Sequence, residues 1–125
     1  MDSHNIALVI AGVIGSCVAV VHGVLMERHI VKPLVQMAQE RRMRASLIRL
    51  APVLMHFTTI SWVLGGLALI AAASWFGRDA RLTTILFVGG SYIFGVLGNL
   101  WATRGRHAGW MLLGMAVVLI AYGSS

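Results

Sequence analysis

The sequence predicts an all-α transmembrane four-helix bundle, antiparallel and up-down, with its N- and C-termini outside. Three observations point there. The 125 residues are 58% hydrophobic and 11% charged, with a mean hydropathy of +0.84, which is far from the composition of ordinary soluble domains. The apolar residues gather into four runs, 5-27, 51-76, 82-102 and 108-123, the first three long enough for the ~20 residues that a span requires. The cations between the runs are distributed unequally. Arg28, Lys32, Arg41, Arg42, Arg44 and Arg49 lie in segment 28-50 and Arg104 and Arg106 in the third connection, whereas the second holds only Arg78 and Arg81. That asymmetry is the positive-inside rule, so segment 28-50 reads as a basic cytoplasmic loop. The expectation is a single multi-pass integral domain of the cell inner membrane. Its first partner is the lipid bilayer, and topology rather than nucleic acid accounts for the net charge of +6.

The first run follows Met-Asp-Ser-His-Asn, which lacks the basic segment of a cleaved signal peptide, and reads as a retained helix. Ala7, Ala11, Gly15, Ala19 and Gly23 recur every fourth residue, forming a narrow stripe that lets another backbone approach closely. His22 and Met26 lie on or beside this stripe, which turns His22 toward the protein interior. Cys17, the lone cysteine, falls mid-run and reads as a small core residue without a disulfide partner.

The helix is expected to reach about Val31. Lys32 precedes Pro33 and so resists the α conformation, while Pro33 suits a new helix start. Residues 34-50 carry good helix formers with charges clustered at Arg41, Arg42 and Arg44. This fits a short helix on anionic headgroups or a loop that only fixes orientation.

The second span places Pro52 near its start, where the missing N–H costs little, and has His56, Thr58, Thr59 and Ser61 in its first half. The connection Gly77–Arg81 is short, which makes the second and third helices antiparallel neighbours. In the third span Ser91, Gly95, Gly98 and Asn99 suggest a second close-packing stripe. Trp101 and Trp110 flank a tight turn as interfacial aromatics do. The last span is short and calls for burial among neighbours or a thinned bilayer.

His22, His56 and Asn99 fall at a common depth, each ~7–11 Å inside the cytoplasmic edge at 1.5 Å per residue. Thr59, one turn beyond His56, extends the layer. Polar groups in a membrane interior must find partners, and the layer admits four readings. The three side chains can be hydrogen-bonding glue between helices. His22 and His56 can be the two axial ligands of haem b, with Asn99 and Thr59 in support. His22, His56 and Met26 can hold copper, or with Glu27 zinc. A histidine can carry protons in a cofactor-free channel or carrier. No span carries a mid-membrane carboxylate, so export coupled to an essential first-helix acid is not expected. No Ser-His-Asp set, paired carboxylates or phosphate loop is present, and no catalytic residue is assigned. Glu27, with Arg28 and Arg49, reads as an ion pair at the cytoplasmic edge.

The stretch His22-Gly-Val-Leu-Met-Glu27-Arg28, followed by Pro33-Leu34, Arg49, His56 and Trp62, resembles a family of uncharacterised small bacterial four-helix integral membrane proteins. In that pattern a Gly stands where this chain has Met26, and an Arg where it has His29. The resemblance covers the first half and implies an inner-membrane location without an activity. Size and the small-residue stripes add the expectation of a homo-oligomer or a subunit of a membrane complex.

Overall fold

A computed structural model describes all 125 residues, Met1–Ser125. The chain is all-α and has no strands. Helix α1 (Ser3–Met26) passes through a π-helical turn (Glu27–Val31) into α2 (Lys32–Glu40), and α3 (Ala45–Ser74), α4 (Arg78–Thr103) and α5 (Gly109–Ser124) follow. Three of the resulting rods, Ser3–Glu40, Ala45–Ser74 and Arg78–Thr103, are long and apolar enough to cross a membrane. At 16 residues α5 extends only ~24 Å.

Sequence rules place a break at Lys32–Pro33, but the structure carries the helix through it. The Lys32 N–H reaches back five residues to the Glu27 carbonyl, and this wider turn absorbs the carbonyl that a proline ring would otherwise meet. Pro33 then occupies the first turn of α2, so the donor it lacks falls where the hydrogen-bond ladder changes register. Segment 28-50 is therefore mostly helical rather than a loop. The α2–α3 connection is a Schellman turn: the Met43 N–H bonds the Ala38 carbonyl and the Arg42 N–H the Gln39 carbonyl, both at 3.0 Å, with Arg42 left-handed at φ 52°. Because α3 begins at Ala45, Pro52 lies inside the helix rather than at its start.

The distribution of side chains is the reverse of a water-soluble protein. Only 23 of 125 residues are buried, none of them charged. Large apolar side chains face outward instead: Phe94 is 79% exposed, Phe87 78% and Phe57 68%. Such an exterior demands an apolar solvent.

The interior is built from close backbones. All five members of the α1 stripe, Ala7, Ala11, Gly15, Ala19 and Gly23, are buried. Gly12 meets Gly66 so closely that a Cβ on either would collide with the other's carbonyl oxygen. Ser16 donates to the Val63 carbonyl at 3.4 Å, and Gly23 lies against the Thr59 side chain. These pairs rise along α1 as they fall along α3, so the two helices run antiparallel. α1 also packs on α5, and α4 on α3 and α5. The buried face of α4 is Ile85, Val88, Gly89, Tyr92 and Gly95. Of the expected second stripe, Gly95 is buried and Asn99 half-buried, whereas Ser91 and Gly98 face outward.

Tyr92 fills the centre. It is fully buried, its ring occupies the space that a side chain at Gly15 would take, and its hydroxyl donates to the Trp62 carbonyl at 3.2 Å. At the far end Arg81 donates to the Asn5 side chain and to the Gly123 carbonyl at 3.0 Å, joining α1, α4 and α5. His4 stacks on Tyr122 there, with ring centroids 4.8 Å apart.

Candidate functional site

The polar residues of the expected layer divide into two groups. The first is a single histidine–carboxylate contact. Where α1 widens into the π turn, Glu27 leans toward α3, and His56 Nε2 approaches its Oε2 at 2.8 Å. No Lys or Arg bridges a carboxylate anywhere in the structure, so Glu27 pairs with His56 and not with Arg28 or Arg49. Both side chains are partly open, His56 at 32% and Glu27 at 38%. Next to this pair the Thr59 hydroxyl is buried against Gly23 and has no hydrogen-bond partner.

The second group gathers around His22. Trp62 lies beside its ring, with centroids 5.4 Å apart. Asn99 shares its surroundings, and the Asn99 amide donates to the Gly95 carbonyl one turn back at 3.0 Å, leaving its carboxamide oxygen free. His22 and Asn99 together line three cavities. One, of about 270 Å³, opens between α1 and the start of α5 and is walled by Cys17, Val21, Leu112 and Leu113 with Trp62 and His107. A second, of about 400 Å³, is an outward-facing groove between α3 and α4 beside Ser61, Ser91 and Gly98, with His22 at its floor. The third, of about 350 Å³, reaches Met26, His29, Thr103 and His107.

This chamber exists because small residues are used on α4 and because the α4–α5 turn folds back. Arg104 at φ 50° and Gly105 at φ 76° are both left-handed, reversing the chain within a few residues. Trp110 pins the turn by donating from Nε1 to the Gly105 carbonyl at 3.2 Å. The reversal brings His107 over the end of α1, next to His22. Sequence reasoning did not select His107, since its position in a basic turn gave no helical register to read. Trp62 stood out only through the family resemblance, since nothing in its spacing on α3 links it to His22 on α1, the ring it lies beside.

His56 lines none of the three cavities at His22, and its Nε2 is taken by Glu27. The two histidines expected to share one iron are thus held in different surroundings, and the arrangement does not support bis-histidine haem ligation. Nor do any three His, Cys, Asp or Glu side chains converge as a metal-binding group. Met26 lines a cavity with His22 and His29, of whose lining His56 is no part. No family model, curated protein or solved structure matches this chain.

The His22 chamber combines apolar walls with a few convergent polar groups, the usual make-up of a small-molecule site. It offers an imidazole and the free oxygen of a carboxamide. No Asp or Glu lines any of the three cavities, so the chamber suits a neutral molecule better than a cation.

Proposed function

We propose that the chain is a multi-pass protein of the inner membrane, a four-helix antiparallel bundle with both termini outside. The basic end made by segment 28-50 and the Arg104–Arg106 turn lies in the cytoplasm. In this reading the protein works without haem or metal, as a binding protein or carrier. It admits a small, largely apolar, neutral molecule into the His22–Asn99 chamber, where one hydrogen-bonding group of the ligand meets His22 or Asn99.

The observation that carries the reading is the meeting of three cavities at one pair of polar side chains near the basic end. Hydrogen-bonding glue would pair these two side chains with each other or with a neighbouring helix, whereas the His22 ring has no hydrogen-bond partner and Asn99 bonds only within its own helix, and unpartnered polar groups cost free energy in a membrane interior. The cation asymmetry supports the orientation. The outward small face of α4 supports self-association, since a side chain at Gly90 or Gly98 would touch nothing.

The test is chemical. Organic extracts of the protein purified in mild detergent are compared by mass spectrometry with extracts of His22→Leu and of Asn99→Leu. The expected result is a small molecule enriched with the wild type and lost from both variants. Identical extracts from all three proteins would remove the binding proposal. Reporter fusions at the two termini check the orientation independently.

A further inference from the structure

The α2–α3 hairpin frames a further, half-open cleft that shares no lining residue with the His22 chamber and differs from it in chemistry. It measures about 250 Å³ and its lining is wholly apolar, with Leu34, Val35 and Ala38 from α2 facing Leu47, Ala51 and Leu54 from α3. Met43 closes one end through the Schellman turn.

The rim has the opposite character. Arg41, Arg42 and Arg44 sit within the turn itself, all exposed, while Arg49, also exposed, projects from the opposite side of α3. None of them has a carboxylate partner. Of the four acidic residues in the chain, Glu27 is held by His56, and Glu40 accepts only a hydrogen bond from Gln36 at 3.4 Å. Asp2 and Asp79 belong to the other end. The first turn of α3 adds to this charge: its N-cap, Arg44, provides no side-chain acceptor, so its free N–H groups present the positive end of the helix dipole.

An apolar cleft of this kind stays open at a cost unless something apolar fills it, and the three unpaired arginines of the turn, on either side of Met43, call for a diffuse negative charge. From this juxtaposition we infer that the α2–α3 hairpin is a binding site for one anionic diacyl phospholipid. An acyl chain lies in the Ala38–Ala51 cleft, and the phosphate sits among Arg41, Arg42, Arg44 and the α3 amides. The inference rests on the membrane reading above, which puts this end of the protein at headgroup level. It is independent of what the His22 chamber binds.

Native mass spectrometry of the full chain in mild detergent tests it, with phosphatidylglycerol and phosphatidylcholine titrated separately. Phosphatidylglycerol is expected to remain bound and phosphatidylcholine to dissociate. The triple variant Arg41→Gln/Arg42→Gln/Arg44→Gln, whose changes are all at the surface, should weaken retention by roughly fivefold for each arginine removed. Ala51→Phe fills the cleft and should weaken it with every charge in place, and Ala38→Leu does the same from the α2 side. Inorganic phosphate should not compete, because the acyl chain is part of the recognition. Equal retention of the two lipids, full retention by the triple variant, or full retention by both cleft-filling variants would each overturn the site. Recovery of the chain in the soluble fraction of cells would instead overturn the membrane reading beneath it.

Discussion

Replacing Gly12 by alanine adds one methyl group at the closest approach of α1 and α3. The new carbon would lie 2.8 Å from Ile70 Cγ1 and closer still to the Gly66 carbonyl oxygen, where ordinary contact begins at about 3.4 Å. Ile70 can change rotamer, but the Gly66 oxygen is backbone and moves only with its helix. Relief therefore requires the two helices to part by roughly 1 Å, and a gap of that size forfeits about a quarter to a half of the attraction at each atom pair across the interface. The expected destabilisation is about 1–3 kcal/mol. Gly90→Ala is the control, since a side chain there meets nothing within 4 Å; it should be neutral or gain up to ~1 kcal/mol from helix propensity. Thermal unfolding in mild detergent, followed by tryptophan fluorescence, reads both. If Gly12→Ala is as stable as the wild type, or Gly90→Ala as damaging as Gly12→Ala, the argument from backbone proximity is refuted.

Four further outcomes are expected. Tyr92→Phe removes the hydroxyl that donates to the Trp62 carbonyl and should cost about 0.5–1.5 kcal/mol in the same unfolding assay; a neutral result would mean the bond contributes nothing. A double-mutant cycle between Glu27→Gln and His56→Ala should give a coupling of only ~0–1 kcal/mol, because both groups are partly solvated; a larger value would point to a buried, functional pair. Arg81→Ala cuts the ties to Asn5 and Gly123, so hydrogen exchange should quicken in the last turn of α5 while the centre of α3 stays protected. Protein purified from haem-replete cells should show no Soret band, and a band lost in both His22→Ala and His56→Ala would restore haem ligation.

Much of the α1 packing was legible because a small residue at every fourth position has one physical use in an apolar solvent. The same reasoning half-failed on α4, where small residues occur on two faces and hydrophobicity does not differ between lipid and protein. There the decisive residue was Tyr92, a large side chain made interior by the space left at Gly15. The shared depth of His22 and Asn99 was readable from spacing and the structure places both at one chamber. The Glu27–His56 pair was missed although Glu27 continues the stripe one step beyond Gly23, its N–H still bonded to the Gly23 carbonyl; its charge and its neighbours Arg28 and Arg49 suggested a membrane-edge ion pair instead. His107 depended on a reversal set by two left-handed residues, which no periodicity records.

The π turn at Glu27–Val31 also makes the chain sensitive to insertion and deletion at one place. A single added residue shifts the phase of everything beyond it by about 100°, and here that shift aims Leu34, Val35 and Ala38 at the start of α3. Deleting one residue within Glu27–Val31 would restore the regular ladder and leave α1 intact. It would also swing the apolar side of α2 away from its partner, so that one residue's worth of winding decides whether the hairpin closes on a cleft or presents a bare helix to the membrane.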